Sequence, residues 1–163
     1  MGLAGCSIED ASRDGVVYDA GLAAERVAAA AEAAGGRLVL TARTENYRFG
    51  RPDLDDTIAR LQSFQEAGAD VLYAPGLKRI EDIRAVVESV DRPVNVLARP
   101  GVPTVSELAA AGVSRVSVGA GFAFAALGAA ADAARELLER GTYEFWDRAV
   151  RGAEVAESAF RRQ

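Results

Sequence analysis

The chain has no histidine and one cysteine, Cys6, in 163 residues. Without imidazole there is no Ser-His-Asp triad, no Cys-His pair and no histidine-ligated zinc. A lone cysteine excludes a disulfide framework and a multi-cysteine metal site within one chain. Chemistry is left to carboxylates, arginines, hydroxyls, backbone amides or a hard metal ion. No apolar run reaches membrane-spanning length without a charge. No basic stretch opens the N-terminus, and Gly2-Leu3-Ala4-Gly5-Cys6 reads as strand rather than leader or lipid site. The expectation is a soluble cytoplasmic protein with no membrane partner. Positive charge is also short: 19 Lys and Arg stand against 24 Asp and Glu, a net charge of −5. The one local excess is Arg161-Arg162. With no basic stripe to replace counterions around phosphates, a nucleic-acid partner is excluded.

What is present is an alternation of strand and helix. Five short apolar runs, Leu3–Ile8, Arg37–Ala42, Asp70–Ala74, Pro93–Ala98 and Arg115–Val118, look continuous. That predicts parallel strands buried on both faces. Helical patterns lie between and after them, over Ala20–Ala34, Leu54–Ala67, Arg79–Val90, Val105–Ala111, Phe122–Arg140 and Tyr143–Phe160. The order implies βαβ crossovers and a parallel sheet. Gly68 and Gly112 each follow a helix and precede a strand, as helix-ending glycines do. Thr104 and Glu107 have the spacing of a capping box. Nothing resembling a linker appears, so residues 1–163 read as one domain. Cys6, inside a strand, is expected in the core. A five-stranded flavodoxin-like module is a rival fold, distinguished by strands inserted out of sequence order.

Ligands of parallel α/β folds sit at the carboxyl ends of the strands. The first strand here ends in Glu9-Asp10 and the second in Arg43-Thr44-Glu45-Asn46. The third ends in Pro75-Gly76, the fourth in Arg99-Pro100-Gly101 and the fifth in Gly119-Ala120-Gly121. Glu9 and Asp10 must face opposite ways, so one points into a site and the other supports it. A carboxylate there needs a cation, either Arg43 on the next strand or Mg²⁺. A Glu–Arg bridge that only closes the sheet is the structural alternative. The loop Thr44–Pro52 mixes polar and aromatic residues and is placed to touch ligand, with Asn46 as a binding candidate. The turn at Gly119 could offer backbone N–H groups to an anion.

These segments resemble a family in order and spacing. They are Gly5-Cys6-Ser7-Ile8-Glu9-Asp10, Leu40-Thr41-Ala42-Arg43-Thr44-Glu45, Ala67-Gly68-Ala69-Asp70-Val71-Leu72-Tyr73, Arg92-Pro93-Val94-Asn95-Val96-Leu97 and Gly112-Val113-Ser114-Arg115-Val116-Ser117-Val118-Gly119. Together they look like the isocitrate lyase/phosphoenolpyruvate phosphonomutase superfamily. The resemblance implies a partial TIM (β/α)8 barrel: five parallel strands in sequential order, with a C-terminal helical extension over 140–163. It implies Mg²⁺, a small 2-oxo- or phospho-carboxylate, and C–C or P–C bond chemistry through an enolate-like species, as in lyases and mutases. Carried over by position, Glu9 resembles the carboxylate that reaches the metal, directly or through water, and Asp10 would support it from behind. Arg43 grips the substrate anion and Glu45 supports it, as the catalytic pair. Arg43, Asn46 and Gly119 are the substrate-binding set. The resemblance further implies a homo-oligomer, with the C-terminal helix as a contact.

Three departures narrow this. Five strands are present where the family barrel has eight, so further metal aspartates are missing. The lyases' Lys-Lys-Cys-Gly-His loop is replaced by Ala11-Ser12-Arg13-Asp14-Gly15. Pro75 stands where lyases place a glutamate. The alternative is therefore a non-catalytic remnant, a structural or interaction domain of the same fold. Open edges at the first and last strands predict self-association or poor solubility.

Overall fold

The computed structural model describes residues 2–161, and Arg162 of the basic tail and Gln163 lie outside the described residues. The chain forms two compact units, residues 1–119 and 120–163.

In the first unit five strands alternate with four helices. The strands are β1 (Gly5–Glu9), β2 (Val39–Arg43), β3 (Val71–Tyr73), β4 (Val94–Leu97) and β5 (Arg115–Ser117). The helices are α1 (Ala20–Ala34), α2 (Leu54–Glu66), α3 (Ile80–Glu88) and α4 (Val105–Ala110). All strand pairs are parallel and the order is β1-β2-β3-β4-β5. That order excludes the flavodoxin-like arrangement. It is the sequential order of a (β/α) barrel, here as an open sheet with β1 and β5 at its edges.

Local chemistry sets the boundaries. Asp53 caps α2 by accepting from the Asp56 N–H. Thr104 and Glu107 form the full capping box at α4. Gly68 and Gly112 take φ of 99° and 85°, the left-handed backbone that lets a helix turn into the next strand.

The three central strands carry buried side chains on both faces, with Thr41, Tyr73 and Asn95 opposite the apolar core, whereas the edge strands β1 and β5 do not. Register aligns Ala42, Leu72 and Val94 across β2, β3 and β4. These join Leu40 and Val96 in a core with Val27, Leu61, Phe64, Ile83, Val86 and Leu108 from the helices. Each Val, Leu, Ile or Phe among them contributes about 1.5–3 kcal/mol on burial. The opposite face carries Thr41, Arg43, Tyr73, Asn95, Arg115 and Ser117, with Val71 and Leu97 among them. The edges are also thinly covered. Cys6 on β1 is exposed, not core, because an edge strand has a neighbour on one side only.

The second unit holds α5 (Gly121–Arg140) and α6 (Trp146–Phe160). The helix expected from Tyr143 begins only at Trp146. The Glu136 carboxylate explains the delay: it accepts from the Thr142 hydroxyl at 2.8 Å and the Glu144 N–H at 2.6 Å, tying residues 142–144 back onto α5 as a turn. Trp146, Val150, Val155 and Phe160 on α6 are exposed. Among the described residues no helix is long and apolar enough to cross a membrane.

Candidate functional site

Parallel register places one residue from every strand in a single row on the polar face. The row runs Glu9, Arg43, Tyr73, Asn95, Arg115. Strand alternation explains why these side chains share a face while their neighbours fill the core. A cavity of about 470 Å³ opens on this face. Its lining includes Arg43, Tyr73, Asn95 and Arg115 from the row, Arg48 and Arg99 from loops, and Gly119. Four arginines line it and no carboxylate does. Arg43 and Arg48 are countered by Glu9 and Glu45, so the surplus positive charge of this concave site comes from Arg99 and Arg115, which have no ion pair among the described residues.

The Arg43 guanidinium is fixed from three sides. It pairs with Glu9 at 2.9 Å, donates Nε–H to Glu45 Oε1 at 2.7 Å, and lies 5.1 Å above the Tyr73 ring centroid. Glu45 is fully buried and also pairs with Arg48 at 3.1 Å. Burying that carboxylate is tolerable because two guanidinium groups face it. Farther along the row, Arg115 donates Nε–H to Asn95 Oδ1 at 2.8 Å and reaches Thr41 Oγ1 at 3.3 Å. Asn95 in turn donates to Ser117 Oγ at 3.0 Å. Burial pushes the Tyr73 phenol above its ordinary value, while the Arg43 charge and the Ser117 hydroxyl act the other way. The phenol is therefore protonated at neutral pH.

Glu9 and Asp10 do face opposite ways. Glu9 is half-buried beside Arg43. Asp10 is buried, accepts the Glu45 N–H at 2.8 Å and pairs with Arg60 at 3.3 Å. Asp10 thus supports the turn after β2. Asn46 does not line the cavity. It is fully buried, and its amide donates to Asp56 at 2.7 Å and to Thr57 at 3.3 Å. Alternation along the strands could have found Tyr73, Asn95, Arg115 and Ser117.

Asp56 sets a pH response. Burial pushes its carboxyl up, but hydrogen bonds from Arg60 and Asn46, with the charges of Arg60 and Arg51, outweigh this and hold it below its ordinary value. A depressed carboxyl contributes stability above its unfolded pKa and loses it as pH falls through the folded one. Urea midpoints are therefore expected to fall below about pH 4. Asp56→Asn should flatten that fall, and equal slopes for the two proteins would count against it.

Mg²⁺ is poorly served. Among the described residues no three His, Cys, Asp or Glu side chains converge as a metal cluster. The Glu9 carboxylate is shared with Arg43 at 2.9 Å and Arg48 at 3.9 Å, and Glu45 is enclosed by the same two arginines. These residues alone do not fit a magnesium centre.

Comparison with known proteins agrees with the fold. The family model described as phosphoenolpyruvate phosphomutase matches residues 1–138. A candidate lyase/mutase of Burkholderia cenocepacia is 50% identical, with a TM-score of 0.83 over 87% of this chain and 54% of that one. An uncharacterised protein of Mycobacterium tuberculosis is 33% identical over 136 residues, covering 83% of this chain and 52% of the relative. A phosphonopyruvate hydrolase, solved with oxalate and Mg²⁺, shares the fold with a TM-score of 0.72 at 24% identity over 97% of this chain and 62% of that one. The chain spans about half the length of the relatives it matches.

Proposed function

This chain belongs to the phosphoenolpyruvate phosphomutase family, and from that premise we propose that its cationic cavity binds a small 2-oxo- or phospho-carboxylate for C–C or P–C bond chemistry. The carrying observation is the lining: four arginines, no carboxylate, and a volume suited to a small ligand. Arg43 takes the substrate anion and is the catalytic cation. Glu45, sealed behind it, keeps the guanidinium in place. Gly119 offers its backbone to a second oxygen. When such a bond breaks, its electron pair stays on the carbon beside the oxo group, and the charge spreads onto oxygen as an enolate. The other fragment leaves as a carbonyl compound after losing a hydroxyl proton or, for a phosphoryl group, passes to an oxygen nucleophile. A preorganised guanidinium offsets that charge without reorganising.

Mg²⁺ enters this reading only through Glu9, which is one ligand and not a site. Anion binding therefore stands on the arginines. Calorimetry with oxalate, an enolate mimic, is expected to give a saturable heat that 5 mM Mg²⁺ changes by less than about threefold (~0.6 kcal/mol). No heat in either condition would contradict the reading.

A second reading is a binding domain of the same fold without turnover, in keeping with the lack of a carboxylate cluster among the described residues. It predicts oxalate binding with no oxo-acid cleavage.

The proposal extends to one domain over 1–163, cytoplasmic, in a homo-oligomer that uses the exposed apolar side chains of α6. Sedimentation equilibrium giving a monomer mass would remove the oligomer.

A further inference from the structure

Behind the cavity lies a buried polar hub that the binding reading does not use. Arg60 on α2 is 4% exposed. Its guanidinium donates to Asp56 Oδ2 at 2.9 Å, to Asp10 Oδ2 at 3.3 Å and to the Tyr18 carbonyl at 2.9 Å. Each carboxylate also holds the turn after β2. Asp10 Oδ1 accepts the Glu45 backbone N–H at 2.8 Å, and Asp56 Oδ2 accepts the Asn46 side-chain amide at 2.7 Å. Two successive residues of the turn are thus tied, through two carboxylates, to one guanidinium.

We infer that Arg60 is the positioning residue for the turn carrying Glu45 and Asn46, and through Glu45 for the Arg43 guanidinium. The functional meaning of this inference rests on the anion-binding reading above. The turn is also held by the Thr44 N–H on the Tyr73 carbonyl at 3.0 Å and the Arg51 N–H on the Asn46 carbonyl at 2.9 Å, while among the described residues Thr44 Oγ1 and Asn46 Oδ1 are buried without hydrogen-bond partners. Of these ties, the ones to Asp10 and Asp56 are those that lead from the turn to Arg60. The planar fork of arginine serves both carboxylates and the carbonyl at once, while a lysine ammonium is a point charge on a flexible stem. A site cation held by such a buried shell keeps its geometry before the ligand arrives.

Amide hydrogen exchange separates positioning from simple stability. The Glu45 amide reports the turn, and the Leu72 amide in β3 reports the sheet. Arg60→Met is expected to lower Glu45 protection about tenfold more than Leu72 protection, and to weaken oxalate binding about tenfold or more. Arg60→Lys should be intermediate in both. Protection falling equally at Glu45 and Leu72 would overturn the inference, leaving Arg60 a stability residue. Should Arg60→Met fail to fold, Arg60→Lys and Asp56→Asn are read by the same two amides. If the unmodified chain binds no oxalate, the anion-binding reading fails, while the Glu45 amide still decides whether Arg60 positions the turn.

Discussion

Replacing Asp10 with alanine is expected to cost about 3–5 kcal/mol of folding stability. The carboxylate is almost completely enclosed, and its two oxygens have separate partners, the Arg60 guanidinium and the Glu45 N–H. Its removal strips a buried cation of one counter-charge and leaves a buried N–H without an acceptor. Against the 5–15 kcal/mol typical of a domain, that loss leaves a substantial unfolded population. Glu9 is the control. Its side chain is 42% exposed, so Glu9→Ala should cost under about 1 kcal/mol even though Glu9 also pairs with an arginine. Urea unfolding checks both. Similar losses for the two variants would show that burial does not separate the adjacent carboxylates.

Arg43→Met is expected to weaken oxalate binding about 100-fold, close to 2.7 kcal/mol. A charged, preorganised donor is lost from a site where Arg48, Arg99 and Arg115 remain. Arg43→Lys should recover only part of the loss, because lysine cannot donate to Glu9 and Glu45 as a planar fork. Glu45 keeps Arg48 as a counter-ion at 3.1 Å, so Arg43→Met should still melt cooperatively. Calorimetry with a melting control reads this out. Unchanged affinity in a folded Arg43→Met protein would place the anion elsewhere.

The sequence revealed the fold better than the site. Helix α1 falls where its pattern puts it, over Ala20–Ala34, because periodicity and punctuation are local properties. The strand order follows from the alternation of elements and the family resemblance. The polar face was harder to see. Tyr73, Asn95 and Arg115 lie far apart in sequence, and only the register of three strand pairs brings them into one row with Arg43. Asn46 shows the converse difficulty. A polar residue beside a strand end looks like a ligand contact until its partners Asp56 and Thr57, on a helix ten and eleven residues later, are known. The late start of α6 likewise depends on Glu136 reaching across a turn. Such distant pairings are properties of packing.

The central claim is that the arginine-lined cavity binds a small carboxylate through Arg43. An oxalate titration followed by the arginine Nε–H resonances tests it most directly. The account predicts saturable shifts at Arg43, accompanied by the cavity arginines Arg48 and Arg99, while Arg135 and Arg140 on α5 stay still. Saturation with Arg43 unmoved, or no shift at any cavity arginine, would contradict it.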